Sequence, residues 1–121
     1  TDEAIAMAAM YTANHLQGVK AIVSLTESGN TPVWMSRIRS GLPIFALTRH
    51  PQTRHRMALC RGVEALAFDP TQYPYDEVNE AAINLLKQNG RVHAGDLVLL
   101  TKGARMGAHG QTNAMLILQV R

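Results

Sequence analysis

Thr26-Glu27-Ser28-Gly29-Asn30-Thr31-Pro32 combines hydroxyls, a side-chain amide and one glycine in a single short stretch, a composition suited to holding an anion. The apolar run Ala21-Ile22-Val23-Ser24-Leu25 leads into it and reads as a buried strand. Thr31 is a candidate helix cap, and Pro32 suits the first helical position, where no backbone N–H is needed. A loop of this kind, opening onto a helix N-terminus, aims N–H and O–H donors at one point, and the helix dipole adds partial positive charge there. The chemistry is capture of a phosphate group. An ordinary capped strand-to-helix turn has the same local signature, so the loop's place in the fold has to decide between them.

Other reactive side chains point to binding more than to catalysis. His15, His50, His55, His93 and His109 include no pair at the three- or four-residue spacing of helical metal ligands, and no acidic cluster accompanies them. Cys60 follows Ala58-Leu59 and reads as a core residue. Ser28 lacks the leading glycine of a nucleophile elbow and has no evident acid–histidine pair to activate it. Gly103, Gly107 and Gly110 do not match the dinucleotide fingerprint and read as a flap. Paired carboxylates for acid–base work and a P-loop are both missing. The chain taken alone is expected not to be catalytic and to carry no metal or cofactor.

Elements that could position the loop follow from the pattern. Asp2–Leu16 reads as a helix closed by Gly18, apolar nearly all round, and so calls for cover on two sides. A strand over residues 20–25 precedes the loop. A helix from Pro32 to Arg39, a strand over 43–47, a helix over 51–60 and a strand over 65–68 follow. Asp76–Asn89 is an amphipathic helix capped by Gly90, Asp96–Thr101 a fourth strand and Ala114–Val120 a fifth. Alternating strands and helices predict a three-layer α/β fold: a five-stranded, mostly parallel sheet with helices on both faces. The fifth strand has no crossover helix before it and is expected antiparallel at an edge. In such sheets ligands bind beyond the carboxyl ends of the strands, where the loops after strands one and four both lie.

The 121 residues suffice for one domain, and 46% hydrophobic with 17% charged residues is a globular composition. No apolar run approaches the roughly 18 residues of a membrane helix, and no signal-peptide pattern is present. With one cysteine there is no internal disulfide, which suits the cytoplasm. The chain opens directly in a helical pattern and closes on an apolar strand, so residues 1–121 are expected to be one domain of a longer protein. The net charge of +3 is uneven: Arg37, Arg39, Arg49, Arg54, Arg56 and Arg61 crowd together, while residues 62–86 carry no Lys or Arg. That cluster reads as a basic surface for phosphates, nucleic acid or an acidic partner, or as solvated helix faces.

Several blocks resemble one family, in family order and over nearly the whole chain. These are residues 21–29, Gly41-Leu42-Pro43-Ile44-Phe45-Ala46-Leu47-Thr48-Arg49, Gln52-Thr53, Arg61-Gly62-Val63, Gly95-Asp96-Leu97-Val98 and Gly110-Gln111-Thr112-Asn113. They are similar to the C-terminal, effector-binding domain of pyruvate kinase, and the wording of 26–34 and 36–47 looks most like the bacterial branch activated by AMP and sugar monophosphates. The resemblance implies a parent glycolytic enzyme that moves phosphate from phosphoenolpyruvate to ADP with Mg²⁺ and K⁺. It also implies a tetramer in which this domain carries allosteric regulation and part of a subunit interface, and a catalytic barrel outside this chain.

By the family pattern Thr26, Glu27, Ser28, Gly29, Asn30 and Thr31 form the effector's phosphate loop. Lys102, Gly103, Arg105, Gly107 and Gly110 form the flap over it. Glu27 departs from the lysine of some relatives, and Lys102 or Arg105 is the expected compensation. Relatives that take fructose 1,6-bisphosphate hold its second phosphate with a Trp and an Arg from the region of residues 69–86. Here that region offers Tyr73 and Tyr75 without a cation. The expected effector is therefore a monophosphate: glucose 6-phosphate, ribose 5-phosphate or AMP. Alternatives are a structural or oligomerisation module with a vestigial pocket, and nucleic-acid binding through the arginines. The last lacks a recognised motif and interleaved aromatics.

Overall fold

The computed structural model describes residues 2–38, 41–103 and 112–121. Among these, α1 spans Asp2–His15, β1 Val19–Leu25, α2 Asn30–Ser36, β2 Ile44–Thr48 and α3 Pro51–Met57. β3 follows at Val63–Ala67, α4 at Val78–Gln88, β4 at Leu97–Gly103 and β5 at Thr112–Gln119. Short 3-10 turns at Pro70–Gln72 and Tyr75–Glu77 lead into α4.

The strands form one five-stranded sheet in the order β3-β2-β1-β4-β5. β1 pairs in parallel with β2 (Val23 opposite Phe45) and with β4 (Val23 opposite Leu100), and β2 in parallel with β3. β5 runs antiparallel to β4 at the edge, Leu99 opposite Ile117. The expected architecture is therefore the observed one. β1 explains itself: a strand with neighbours on both sides and helices on both faces must be apolar nearly throughout. All of Ala21–Leu25 is buried.

Alternation splits the core into two layers. Ala21, Val23, Leu25, Phe45, Leu47, Val98 and Leu100 face α4, meeting Val78, Ala82 and Leu86. Ile22, Ile44 and Leu99 face the other way, meeting Ala6, Ala9 and Met10 of α1 and Met35 of α2. Each fully buried Ile or Leu contributes about 1.5–3 kcal/mol, so these layers dominate the stability. α1 uses only one side for this, leaving Met7 and Tyr11 57% and 66% exposed.

Chain direction sets where a ligand can go. From β1 the chain winds outward to β2 and β3, then crosses back through α4 to β4 on the opposite side of β1. Right-handed crossovers put α2 and α3 on one face and α4 on the other. The reversal between β1 and β4 is the topological switch point, whose carboxyl ends open a crevice in folds of this kind. The loop after β1 sits there. Residues 104–111, which include Arg105, Gly107 and Gly110 of the expected flap, lie outside the described residues.

The local start of α2 differs from the sequence expectation. The helix begins at Asn30 with Gly29 as its cap, so Thr31 and Pro32 fall in the second and third positions instead of the cap and the first. Gly29 adopts a left-handed φ of 85°, which turns the chain two residues earlier, and the Val33 N–H bonds to its carbonyl at 3.1 Å. Proline is tolerated there because the first turn's N–H groups have no partner inside the helix.

Candidate functional site

The loop from Thr26 to Thr31 folds on itself through its own hydroxyls. The Gly29 N–H donates to Thr26 Oγ1 at 2.7 Å, and the Asn30 N–H to Ser28 Oγ at 3.3 Å. Each hydroxyl so engaged as an acceptor keeps its own proton to offer elsewhere. Thr31 is almost fully buried, and its Oγ1 has no hydrogen-bond partner among the described residues. The loop thus presents donors, as the sequence suggested, though not through a capping Thr31.

Gly29 is required for more than its φ. A Cβ at this position would lie 2.7 Å from Met57 Cε and 3.1 Å from both Met57 Sδ and Arg56 Nη2. The ends of the Met57 and Arg56 side chains lie against the loop backbone, and an added Cβ would have to displace them. Arg56 Nη2 also reaches Asn30 Oδ1 at 3.5 Å.

Glu27 is where the structure adds most. Its side chain, only 10% exposed, receives Arg49 Nε at 3.2 Å and is paired with His50 Nε2. The Thr53 hydroxyl donates to the Glu27 carbonyl at 2.9 Å. The loop is therefore held along its length by residues from the end of β2 and from α3. Strand β2 ends at Thr48 beside β1, so the residues that follow emerge at the same edge of the sheet as the loop.

The positive charge beside the loop comes from Arg49 and Arg56, with the His50 ring paired to Glu27. Reading the sequence located the arginine cluster but not this division of labour. Arg37 instead stacks over the Trp34 ring, 5.0 Å from its centroid, and Arg61 is exposed. Parallel pairing of adjacent strands was the available signal, because it sends the residues after two neighbouring strands to one edge.

Lys102, expected to offset Glu27, stands elsewhere. It lies at the end of β4, is 6% exposed, and alternation turns it toward the α4 face with Val98 and Leu100. Its Nζ sits 4.2 Å from the centroid of the Tyr75 ring. Gly103 closes β4 opposite Thr112. One further carboxylate completes the charge pattern. Asp69 is held below its ordinary pKa by hydrogen bonds from the Thr71 hydroxyl and backbone N–H, with Arg49 and His50 adding to the effect and burial opposing it.

Among the described residues, no group of three or more His, Cys, Asp or Glu is placed to hold a metal ion. No described helix is long and apolar enough to cross a membrane. The arrangement places hydroxyls, backbone N–H groups, the Arg49 and Arg56 guanidinium groups and the Glu27–His50 pair side by side at the carboxyl end of β1.

The chain is similar to known proteins. Residues 3–118 match the family model described as pyruvate kinase, alpha/beta domain. The chain is 50% identical over 119 residues to a pyruvate kinase of Buchnera aphidicola subsp. Baizongia pistaciae, covering 98% of this chain and 25% of that protein. It is equally 50% identical over 119 residues to pyruvate kinase II of Salmonella typhimurium, with the same coverage. A pyruvate kinase of Haemophilus influenzae is 47% identical over 119 residues, 24% of its length. The chain thus spans about a quarter of the relatives it matches. On fold, motif order and these likenesses together, the chain belongs to the pyruvate kinase alpha/beta-domain family, as the C-terminal domain of such a kinase.

Proposed function

We propose that this chain is the regulatory domain of a cytoplasmic pyruvate kinase and takes a phosphorylated small molecule in the Thr26–Thr31 loop. The observation that supports this reading is a loop at the carboxyl end of the central strand, turned by the Thr26 and Ser28 hydroxyls, with Arg49 paired to its Glu27 and Arg56 reaching its Asn30. The parent enzyme would transfer phosphate from phosphoenolpyruvate to ADP in a catalytic barrel outside residues 1–121. Mg²⁺ and K⁺ belong to that reaction. Among the described residues no group of three or more His, Cys, Asp or Glu would hold a metal ion, and in this reading both ions belong to the barrel.

A monophosphate such as glucose 6-phosphate, ribose 5-phosphate or AMP fits better than a bisphosphate. Residues 69–86 supply no cation, and Lys102 beside Tyr75 is nearly buried against the ring. Regulation would follow if bound effector engages the flap from Gly103 to Gly110 and shifts how the domain packs on its neighbours. Two surfaces suit that packing in a tetramer: the face of α1 bearing Met7 and Tyr11, and the outer edge of β5, where Ile117 is 51% exposed.

Thermal unfolding against glucose 6-phosphate, ribose 5-phosphate, AMP and fructose 1,6-bisphosphate tests the reading, with inorganic phosphate at matched ionic strength as control. Ligand at a hundred times its dissociation constant adds about 2.7 kcal/mol, a shift of several degrees for a domain of this size. A shift selective for one monophosphate is expected. Tighter binding of fructose 1,6-bisphosphate than of every monophosphate would overturn the monophosphate assignment. In the full-length enzyme Ser28→Asp should abolish activation through charge repulsion while basal turnover persists; surviving activation means the effector binds elsewhere.

A further inference from the structure

Glu27 is a carboxylate inside a loop read as an anion site, a placement that would normally weaken such a site. Its geometry gives it a different part. The carboxylate is 10% exposed and engages the Arg49 guanidinium and the His50 ring, both standing against the loop. Any ligand anion recruiting Arg49 must compete with a carboxylate already there, tethered at high effective concentration and needing no further loss of freedom.

We infer that Glu27 is a specificity-determining residue, an internal competitor that sets the charge a ligand must bring. A monoanion, such as a phosphodiester or a carboxylate, offers Arg49 no more charge than Glu27 already supplies. A phosphomonoester carries between about 1.5 and 2 negative charges at neutral pH and can draw the guanidinium away. Thr53 keeps the Glu27 backbone in place through its carbonyl, so the exchange moves side chains while the loop stays anchored. This inference rests on the reading of Thr26–Thr31 as a phosphate loop and names what that loop discriminates.

The test is calorimetric titration of the 121-residue chain and its Glu27→Gln variant with glucose 6-phosphate and with dimethyl phosphate at pH 7.5. Gln keeps the shape and a hydrogen-bond acceptor but removes the charge. The wild type should bind the monoester at least about tenfold tighter than the diester. In Glu27→Gln both should tighten, the diester by about tenfold more than the monoester, so that the preference collapses. Arg49→Gln added to that variant should return the diester affinity toward the wild-type value. If Glu27→Gln does not fold, Glu27→Ala carries the same expectation. Monoester binding by the wild type with the preference unchanged in the variant overturns the inference and leaves the phosphate loop standing. Absence of binding by either protein overturns both.

Discussion

The Thr53 hydroxyl donates to the Glu27 carbonyl at 2.9 Å, joining residues 26 apart in sequence and fastening the loop after β1 to helix α3. Without it, the loop would still bond within itself but would have one fewer tie to its support. Thr53→Val should cost about 1 kcal/mol in denaturant unfolding, the usual net worth of such a bond. Amide exchange at Ser28, Gly29 and Asn30 should quicken in parallel. Unaltered exchange there would mean the remaining contacts hold the loop unaided.

Gly29→Ala should be more damaging. Alanine must take a left-handed φ, costing about 1–2 kcal/mol, and its Cβ must displace the fully buried Met57 side chain. A combined loss of about 2–4 kcal/mol lowers the thermal midpoint by on the order of 8 °C or more. A midpoint within a degree or two of wild type would show that the loop and α3 part easily.

Thr101 Oγ1 donates to Ser24 Oγ at 3.1 Å between β4 and β1, with both residues fully buried. Removing one hydroxyl orphans the other. Ser24→Ala and Thr101→Val should each cost about 1–3 kcal/mol. The double variant should lose less than the sum of the two, because it leaves neither group unpaired. Strict additivity in chemical denaturation would show that the two hydroxyls are not coupled.

Acid should expose the contribution of Asp69. Its pKa is depressed in the folded chain by the Thr71 hydrogen bonds first, so the unfolded state binds its proton more readily. By linkage, the stability this supplies is fully present above the ordinary carboxylate value and is lost as pH falls through the lower folded value. Asp69→Asn should therefore flatten the stability curve only in that acidic window. The comparison is urea unfolding of both proteins between pH 2 and 7, and unchanged slopes below pH 4 would contradict it.

Much of this was legible in the chain itself. Ala21–Leu25 could only be a strand buried on both faces, and the missing crossover before β5 announced an antiparallel edge. Two kinds of detail escaped. The cap of α2 lies at Gly29, where glycine takes a left-handed turn two residues before Thr31 and the Met57 side chain lies against its backbone. The partners of Glu27 escaped because Arg49 and His50 are more than twenty residues away and meet it only once β1 and β2 are paired in register. Charge composition announced a basic cluster; only strand adjacency could assign its members.

Among the described residues, strand β1 has a hydrogen-bonded strand on each side, whereas β3 and β5 each pair on one side only. Opening of a native protein proceeds from its free margins, and a central strand is released last. A ligand held by the proposed loop just beyond Leu25 would thus be attached to the segment that separates only when the whole domain does. Its binding energy should slow exchange of the Ile22 and Val23 amides as much as it raises global stability, and leave fraying at β3 almost untouched.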